Sequence, residues 1–418
     1  MKKKKQQKAN VFINLEGVKN EIGTLIYDDR KIYFKIKDTF LDNNLPFKGK
    51  KLSLSPFKIE HSNQIQVAPH MPYEGLFGLF SDSLPDAWGK LLIDRYLKSK
   101  NLELLELNPL LRLLYVGKNG NGALEYEPHE EYFKSELSEI DLNEFNLASQ
   151  KIIIGENSML LDDFYRLGGT SGGARPKMSV GFNPKTNHLI PINSYLPKNY
   201  ENWLVKFPST FDLPEIANIE YAYYKMAIAC GIEMSDSKLL VGEKDSCFFV
   251  TKRFDRNENG KLHLHSFAGL IHDDFTQCNL DYGHLLDAAF YLVNSKSVQQ
   301  KIFKLAAFNV FSSNQDDHSK NFSFIFNKKK EWKFAPAYDL TFSPSKYDFN
   351  SMSVAKKHKN IQTNDLLDLA KHFQILNADK IVQEVKETIN NWQYFAKDAG
   401  VKKSTIFYIK KVLEKKMK

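Results

Sequence analysis

The residues whose side chains could take part in a reaction are concentrated in residues 314–321, which we call the acidic segment and which lie between two apolar runs. It contains two carboxylates, a histidine, an ammonium group and amides. The preceding residues 301–311 have the apolar spacing of a helix, and the alternating phenylalanines of 322–326 predict a half-buried strand. A further acidic residue, Asp339, follows in the segment 334–340. The acidic segment is therefore the first candidate for a functional site.

This spacing of acids and amides is the arrangement that phosphoryl transfer requires. Asp316 would accept the proton of the attacking hydroxyl group. Asn321, five residues later, and Asp339, after a short hairpin, would hold magnesium on the phosphates of a nucleotide. The same segment taken alone equally fits a structural loop whose Asp and Asn side chains cap a helix. The remainder of the chain has to decide between the two interpretations.

The overall composition predicts a soluble, globular protein with a sizeable core. The chain has 418 residues, of which 42% are hydrophobic and 26% charged, and no apolar run approaches the length that crosses a bilayer. A secretory signal has an apolar segment after its basic start, and no such segment follows residues 2–8. The widely spaced Cys230, Cys247 and Cys278 fit neither a disulfide framework nor a zinc site. We therefore expect a cytoplasmic protein that does not associate with a membrane.

The net charge of +8 lies partly in the terminal residues 2–8 and 410–418. Charged ends of this kind are ordinarily solvated, although they also permit weak attraction to nucleic acid or to an acidic partner. Charge alone therefore does not predict a DNA-binding protein.

The first part of the chain is predicted to be rich in β-strands, and we assign residues 1–110 to a small β-rich module. Strands are predicted at 11–15, 22–27 and 31–36, with a turn at 28–30 and a further extended piece at 52–56. A helix is expected from Pro85 onward, with Asp82 or Ser83 as its N-cap.

A glycine-rich loop runs into a further predicted strand at residues 168–180. Its glycines let the backbone approach a phosphate closely, and consecutive N–H groups could form a nest for an anion. The loop matches neither of the two common glycine patterns of phosphate-binding sites, so a surface hairpin turn fits it equally well.

A lysine inside an apolar strand marks the next candidate. Lys206 interrupts the apolar residues of 202–208, and because lysine is rarely buried without a partner, we expect it to meet an anion. An edge-strand lysine whose ammonium group reaches solvent is the alternative. The helix predicted after Pro214 has one apolar stripe. Glu220 lies off that stripe and could reach Lys206, as in the lysine–glutamate pairs of kinases.

The second half of the chain is predicted to be mainly helical. An antiparallel strand pair at 237–241 and 247–256 precedes a turn-rich joint. Helices are predicted at 282–292, 298–311, 364–372, 378–396 and 404–416. A β-rich lobe, residues 111–256, would carry the glycine loop and the lysine, and an all-helical lobe, residues 257–418, would carry the acidic segment. A nucleotide in the cleft would contact both lobes.

The order of these motifs resembles the HipA family, the serine/threonine-protein kinase toxins of bacterial toxin–antitoxin systems. The most specific signature is Asn314-x-Asp316-x-His318-x-Lys320-Asn321. The segments 52–55, 84–88, 253–256 and 337–340 also resemble family landmarks, so that the resemblance covers nearly the whole chain. It implies an α+β, two-lobed kinase-like fold that carries a small extra β module at its β-rich N-terminal end.

The resemblance also implies roles for individual residues. Asp316 would be the catalytic base, and Lys206 would contact the nucleotide phosphates. Asn321 and Asp339 would coordinate magnesium. His318 would orient the loop or stabilise the transferring phosphoryl group, with a purely structural histidine as the alternative.

The glycine-rich loop would cover the phosphates and carry an autophosphorylation site that switches the kinase off. The loop residues expected to bind the nucleotide are Gly172, Gly173, Ala174 and Lys177. The autophosphorylation site aligns with Thr170, and Ser171 lies beside it. Arg253 and Phe254 would belong to the hinge that contacts adenine, although Lys252 stands where family members commonly have an acidic residue.

The implied function is that of an ATP- and magnesium-dependent protein serine/threonine kinase that inhibits growth as a toxin. Its targets would be components of translation, often aminoacyl-tRNA synthetases. Its partner would be a small helix-turn-helix antitoxin, through which it would contact operator DNA only indirectly. A catalytically weak co-repressor and a small-molecule kinase are the alternatives. The intact set of Lys206, Asp316, Asn321 and Asp339 argues against the co-repressor.

Overall fold

The structure is a computed structural model that describes residues 7–100, 107–129, 138–168, 173–192, 196–210 and 212–417. Within these ranges residues 7–252 contain two five-stranded antiparallel sheets, and the residues that follow are mainly helical with further short strands. The α+β composition predicted from the sequence is therefore confirmed. None of the helices in these ranges is both long and apolar enough to cross a membrane.

A five-stranded antiparallel sheet forms the N-terminal module. Its strands are β1 (Gln7–Leu15), β2 (Val18–Asp28), β3 (Lys31–Ile36), β4 (Gln66–Val67) and β5 (Leu124–Glu127), in the order β4-β3-β2-β1-β5. Asp29 and Arg30 form the predicted turn between β2 and β3. The prediction of an extended piece at 52–56 is wrong, because these residues form turns. Leu52 and Leu54 are nevertheless buried. Since β5 pairs with β1, the sheet draws on residues beyond the expected boundary at residue 110.

Four helices lie between β3 and β5 in the chain: α1 (Asp38–Asp42), α2 (Gly78–Ser81), α3 (Ala87–Ser99) and α4 (Pro109–Val116). The N-cap residue of α3 is Asp86, so the prediction that Asp82 or Ser83 caps this helix is wrong. Asp82 follows α2 instead, and its carboxylate accepts hydrogen bonds from the backbone N–H and the hydroxyl group of Ser266. That carboxylate therefore joins the N-terminal module to the second half of the chain.

A second five-stranded antiparallel sheet follows. Its strands are β6 (Lys177–Asn183), β7 (His188–Pro191), β8 (Glu201–Lys206), β9 (Ser237–Val241) and β10 (Cys247–Lys252), in the order β7-β6-β8-β10-β9. The helices α5 (Leu142–Ile154), α6 (Leu161–Gly168) and α7 (Ile216–Ala229) belong to the same part of the chain. The predicted strand that contains Lys206 and the pairing of β9 with β10 are both confirmed. Val180, Val205 and Val250 of the sheet share a core with Phe164 of α6.

Helices dominate the second half of the chain. They are α8 (Phe267–Ile271), α9 (Tyr282–Val293), α10 (Lys296–Phe311), α11 (Thr363–Phe373), α12 (Ala378–Asn390), α13 (Trp392–Asp398) and α14 (Lys403–Met417). Its short strands are β11 (Arg256–Asn257), β12 (Gly260–Lys261), β13 (His263–Ser266), β14 (Ser323–Phe326) and β15 (Trp332–Phe334). The strand predicted after the acidic segment is β14, which pairs with β13 and β15 inside the lobe expected to be all-helical. The sequence did not predict β13 because its buried alternate residues, His263 and His265, are polar.

One hydrophobic core joins the N-terminal module to the helical half. It contains Val11 and Leu25 of the first sheet together with Phe267 of α8 and Phe303 of α10. The second sheet has a separate core, to which α3, α5 and α6 contribute. The candidate site lies where the end of β8 contacts Asp339 and the start of α3 contacts residues 314–321.

Candidate active site

Lys206, the last residue of β8, is buried between two carboxylates. Its ammonium group hydrogen-bonds to Glu220 of α7 and to Asp339. Burial alone would lower the pKa of Lys206, but the charges of Asp339 and Glu220 outweigh burial and raise that pKa. Although burial acts in the opposite direction, Lys206 holds the pKa of Asp339 well below its usual range. The predicted contact between Lys206 and Glu220 is therefore confirmed, and this lysine is not a solvent-exposed edge residue.

Asp339 is positioned by the residue that precedes it. The Tyr338 hydroxyl group donates to the backbone carbonyl of Lys320 at 2.8 Å and lies 2.6 Å from the Ser323 hydroxyl group. The Tyr338 ring also stacks on Phe254, with the ring centroids 5.5 Å apart. These contacts tie Asp339 to the acidic segment on one side and to the end of the second sheet on the other.

Asp316 is open to the cleft, with 69% of its side-chain surface exposed. Its backbone carbonyl accepts a hydrogen bond of 2.7 Å from the side-chain amide nitrogen of Asn321. Partial burial in the cleft, to which the Asp339 carboxylate adds, raises the pKa of Asp316, while His318 acts against the rise. An exposed carboxylate with a raised pKa is suited to accept a proton from a substrate.

The side chains predicted to bind magnesium offer the hard oxygen atoms that this ion prefers. Asn321 uses its amide nitrogen for the Asp316 carbonyl, which leaves its amide oxygen available to a cation. Asp339 is kept ionised by Lys206, which contacts its Oδ1. No group of three His, Cys, Asp or Glu side chains in the described ranges could enclose a metal ion. Asn321 and Asp339, as two oxygen donors, fit an ion such as magnesium, which is held by few protein ligands and keeps several waters.

Asp317 stabilises the loop instead of facing the cleft. Its buried carboxylate accepts hydrogen bonds from the Tyr282 hydroxyl group at 2.8 Å and from the Asn350 amide at 3.3 Å. It also accepts from the backbone N–H groups of Ser351 and Met352, at 2.8 and 3.3 Å. Burial raises the pKa of Asp317 to about 6, and the hydrogen bonds limit the rise. This carboxylate therefore fastens the acidic segment to α9 and to the residues after 349.

His318 lies next to the candidate base. Its Nε2 is 3.9 Å from Oδ1 of Asp316, and its ring packs against Phe275 with the centroids 5.1 Å apart. Its Nδ1 is buried and has no hydrogen-bond partner within the described ranges. This placement suits a residue that orients the loop beside the base.

The end of the glycine-rich loop reaches the same cleft. Thr170, Ser171 and Gly172 lie outside the described residues, whereas Gly173 and Ala174 are described. Gly173 has a φ of +88°, and a Cβ atom at this position would lie 2.4 Å from the Lys177 ammonium nitrogen. The positive φ therefore favours glycine here, whereas the close approach involves only the flexible end of the Lys177 side chain.

Two buried lysines lie side by side at this end of the second sheet. Lys177 begins β6 and is the direct partner of Lys206 on β8. Burial lowers the pKa of Lys177, and the Lys206 charge adds to this effect while Asp339 opposes it. A pair of adjacent cations beside a glycine loop is suited to bind an anion such as a phosphate chain.

One residue of the site was missed by the sequence prediction. Asp86, the N-cap residue of α3, accepts a hydrogen bond from the Lys320 ammonium group and another, of 2.8 Å, from the backbone N–H of Gly173. Although burial acts in the opposite direction, Lys320 lowers the pKa of Asp86. The Trp88 backbone N–H donates to the Gly173 carbonyl at 3.2 Å. The start of α3 thus joins the glycine loop to the acidic segment. In the sequence, the only indication of this role was that residues 84–88 resemble a family landmark.

The two predicted hinge residues have different surroundings. The Arg253 guanidinium group donates to both carboxylate oxygens of Asp255 and, at 2.9 Å, to the Ser179 hydroxyl group. This side chain is occupied by these contacts, and the Arg253 backbone N–H donates to the Asn202 carbonyl at 2.9 Å, so a nucleotide contact at Arg253 would fall to its backbone carbonyl. The Phe254 ring, in contrast, stacks on Tyr338, the residue before Asp339, and so lies beside a carboxylate of the candidate site.

A cavity of about 600 Å³ opens beside Asp316. Its lining includes Gln315, Asp316, Ser343, Tyr347, Phe349 and Lys359. Neither Lys206 nor Asp339 lines it, so the cavity lies apart from the contacts of those two residues.

Two family models match the chain. The model of the HipA N-terminal domain matches residues 13–127, and that of the HipA-like C-terminal domain matches residues 169–393. A Haemophilus influenzae protein named "Putative kinase" is 29% identical over 194 residues, which are 43% of this chain and 57% of that protein. The serine/threonine-protein kinase toxin HipA of Shewanella oneidensis is 21% identical over 250 residues, 52% of this chain and 55% of that toxin. The chain thus spans little more than half the length of these curated relatives.

A solved structure resembles the chain over almost its full length. It is a complex of Shewanella oneidensis MR-1 HipA with HipB and operator DNA. The TM-score is 0.67 at 15% sequence identity, and the match covers 97% of this chain and 96% of that one. This likeness confirms the two-lobed kinase-like fold that the sequence predicted. Because the C-terminal family model also covers more than half of the residues, the chain belongs to the HipA family.

Proposed function

We propose that the protein is an ATP- and magnesium-dependent protein serine/threonine kinase that acts as the toxin of a HipA-type toxin–antitoxin system. The observation that supports this most directly is the contact of Lys206 with both Glu220 and Asp339, while Asp316 stays open beside a cavity. In protein kinases the lysine–glutamate pair and the metal-binding aspartate have to be in place together for phosphoryl transfer.

The acceptor hydroxyl group would enter the cavity beside Asp316. As its oxygen bonds to the γ-phosphorus, its proton passes to the Asp316 carboxylate. The bond between the γ-phosphorus and the bridging oxygen breaks, and its electron pair leaves on ADP. Lys206 and Lys177 would bind phosphate oxygens. Asn321 and Asp339 would hold the magnesium ion, whose charge offsets that of the phosphates when it is bound.

Self-inactivation by autophosphorylation of Thr170 or Ser171 is part of the proposal. A phosphate group adds about −1.5 to −2 charges at neutral pH. Gly173 lies against Lys177, so a phosphate two or three residues earlier would compete with ATP for the same cations. Repulsion between the loop phosphate and the nucleotide would then keep ATP out of the cleft.

The proposed partner is a helix-turn-helix antitoxin protein. The support is the likeness to Shewanella oneidensis HipA, which is found in a complex with HipB and operator DNA. This chain would contact operator DNA only through its antitoxin. Its substrate would be a cytoplasmic protein of the translation apparatus, with aminoacyl-tRNA synthetases as the first candidates.

A small-molecule kinase is the second candidate. The cavity of about 600 Å³ beside Asp316 lies within the range of about 300–1,000 Å³ that small-ligand sites occupy. Incubation with labelled ATP, lysate proteins and a metabolite extract separates the two candidates by showing which fraction carries the label.

The proposed function is tested by intact-mass measurement of the wild-type protein and of Asp316→Ala after incubation with ATP and magnesium. The wild type should gain one phosphate, which peptide mapping should place within residues 168–177, and the variant should gain none. Expression of the wild type should arrest growth, and expression of Asp316→Ala should not. Growth arrest by the variant would contradict the kinase-toxin proposal. A wild type that binds ATP and stays unmodified would contradict self-inactivation.

A further inference from the structure

Arg175, which the proposed reaction does not use, lies next to the phosphate-binding lysines. It stands two residues before Lys177. The carbonyl of the intervening Pro176 accepts a hydrogen bond of 2.8 Å from the backbone N–H of Phe207, the residue that follows Lys206. This bond places Arg175 beside the end of β8, where the phosphates of a nucleotide would lie.

The Arg175 guanidinium group is anchored on one side only. Its Nε donates to Oδ1 of Asp212 at 2.8 Å, and Oδ2 of Asp212 accepts from the backbone N–H of Ser209 at 2.8 Å. Within the described ranges neither Nη atom makes a hydrogen bond, and 29% of the side-chain surface is exposed. The anchor therefore sets the direction of the guanidinium group and leaves two amino groups available to a ligand.

Carboxylates other than its anchor also act on this guanidinium group. Burial would lower the pKa of Arg175, but the charges of Glu220 and Asp212 outweigh it and raise that pKa. Arg175 in turn acts to lower the pKa of both Asp316 and Asp339. Among the described residues, however, only Asp212 lies within ion-pair distance of Arg175. The guanidinium group is thus close to the base and to the metal ligand but separated from both.

Arg253 shows how this protein uses an arginine for structure alone. Its guanidinium group donates to both oxygens of Asp255, to Ser179 and to Asn121. Arg175 has a single anchor and two available amino groups instead. A planar, charged fork of this kind matches the oxygen atoms of a phosphoryl group.

We propose that Arg175 is a catalytic residue that binds the transferring phosphoryl group. Its Nη atoms would donate to non-bridging oxygens of the γ-phosphoryl group as the acceptor oxygen bonds to phosphorus. The acceptor proton passes to Asp316, and the electron pair of the broken bond leaves on ADP, as in the proposed kinase reaction on which this inference rests. An arginine in that position stabilises the charge that spreads over the equatorial oxygens in the transition state.

The test compares the affinity for ADP and magnesium with and without aluminium fluoride, which together with ADP mimics the transferring group. In the wild type, aluminium fluoride should tighten ADP binding by about 100-fold or more. Arg175→Ala should bind ADP within about threefold of the wild type and lose most of the aluminium fluoride gain. Arg175→Lys should recover only part of it, because one ammonium group cannot serve both Asp212 and the phosphoryl group.

The matched control is Arg112→Ala, since Arg112 pairs with Glu74 outside the site and its loss should leave both affinities unchanged. A full aluminium fluoride gain in Arg175→Ala, or none in the wild type, would overturn the role of Arg175 and leave the nucleotide site standing. Loss of ADP binding in Arg175→Ala alone would also overturn it, since Arg175 would then support the nucleotide and not the transferred group. A wild type that binds neither ADP nor ATP would overturn the proposed function as well.

Discussion

Asp316 and Asp317 are adjacent in sequence but lie in opposite environments. The Asp316 side chain is 69% exposed in the cleft, whereas Asp317 is 1% exposed and its carboxylate accepts four hydrogen bonds. The buried acid fastens the loop, and the exposed acid is left free for a substrate. Substitution of the two residues should therefore separate chemistry from stability.

Asp316→Asn should lower the rate of phosphoryl transfer by about 100-fold or more, because an amide cannot take the proton of the acceptor hydroxyl group. The free energy of unfolding should change by less than about 0.5 kcal/mol, since this side chain is exposed. Autophosphorylation followed by intact mass measures the first quantity, and urea denaturation measures the second. Undiminished transfer by a folded variant would exclude Asp316 as the base.

Asp317→Ala should lower the free energy of unfolding by about 2–4 kcal/mol, because buried donors that include the Tyr282 hydroxyl group lose their acceptor. Urea denaturation of this variant and of Asp316→Ala, measured side by side, gives the comparison. Equal stability of the two variants would contradict the structural role assigned to Asp317.

The local parts of the site could be predicted from the sequence. Asp316 and Asn321 belong to one loop, so their spacing alone places both in one candidate site, although the hydrogen bond from the Asn321 amide to the Asp316 carbonyl was not predicted. The pairing of Lys206 with Glu220 was also predictable, because a lysine in an apolar strand needs an anion and the next helix offers one. In each case the partners are close in the chain or belong to consecutive elements.

The remaining contacts depend on tertiary structure and have no local pattern. Asp86 and Lys320 are 234 residues apart, and their contact exists only because the N-terminal module shares a core with the helical half. Arg253 was predicted to bind the nucleotide because of its place in the hinge, whereas its guanidinium group is saturated by Asp255 and Ser179. Periodicity reports which face is buried but not which distant polar group a side chain will meet.

Asn321→Ala should raise the magnesium concentration needed for half-maximal phosphoryl transfer by about tenfold or more, because the site loses an oxygen ligand and the bond that orients it. A magnesium titration at saturating ATP measures this. A chelator should stop transfer by the wild type, and added magnesium should restore it. An unchanged magnesium requirement in Asn321→Ala would exclude this residue as a ligand.

Glu125 of β5 should make stability depend on pH. It pairs with Lys261 at 2.8 Å and Lys19 at 2.9 Å, and although burial opposes them, these lysines lower its pKa from 4.5 to about 2. The ionised form therefore stabilises the fold above pH 4.5, and this contribution is lost as the pH falls from 4.5 toward 2. Glu125→Gln should cost about 2–3 kcal/mol at pH 7 and progressively less below pH 4.5.

Glu127→Gln is the matched control for this pH dependence. Glu127 also binds Lys19, but its side chain is 46% exposed, whereas that of Glu125 is 8% exposed. An exposed ion pair contributes at most about 1 kcal/mol, so the control should differ little from the wild type at any pH. Thermal unfolding of the three proteins between neutral and acidic pH makes the comparison. A difference between Glu125→Gln and the wild type that stays constant with pH would contradict the depressed pKa.

Asp86→Ala should loosen the glycine-rich loop, because the Gly173 N–H loses its acceptor and Lys320 loses its carboxylate. Hydrogen exchange at the backbone amides of residues 173–175 should be faster in this variant than in the wild type. Lys320→Met removes only the contact on the side of the acidic segment, so its effect on exchange in the loop should be smaller.

The double variant Asp86→Ala, Lys320→Met shows whether the two residues act as a pair. Residues in direct contact typically have coupling energies of about 0.5–3 kcal/mol, so the two losses in unfolding free energy should not add. The loop should exchange no faster in the double variant than in Asp86→Ala, because the Gly173 contact is already lost there. Additive effects in both measurements would mean that α3 does not connect the glycine-rich loop to the acidic segment.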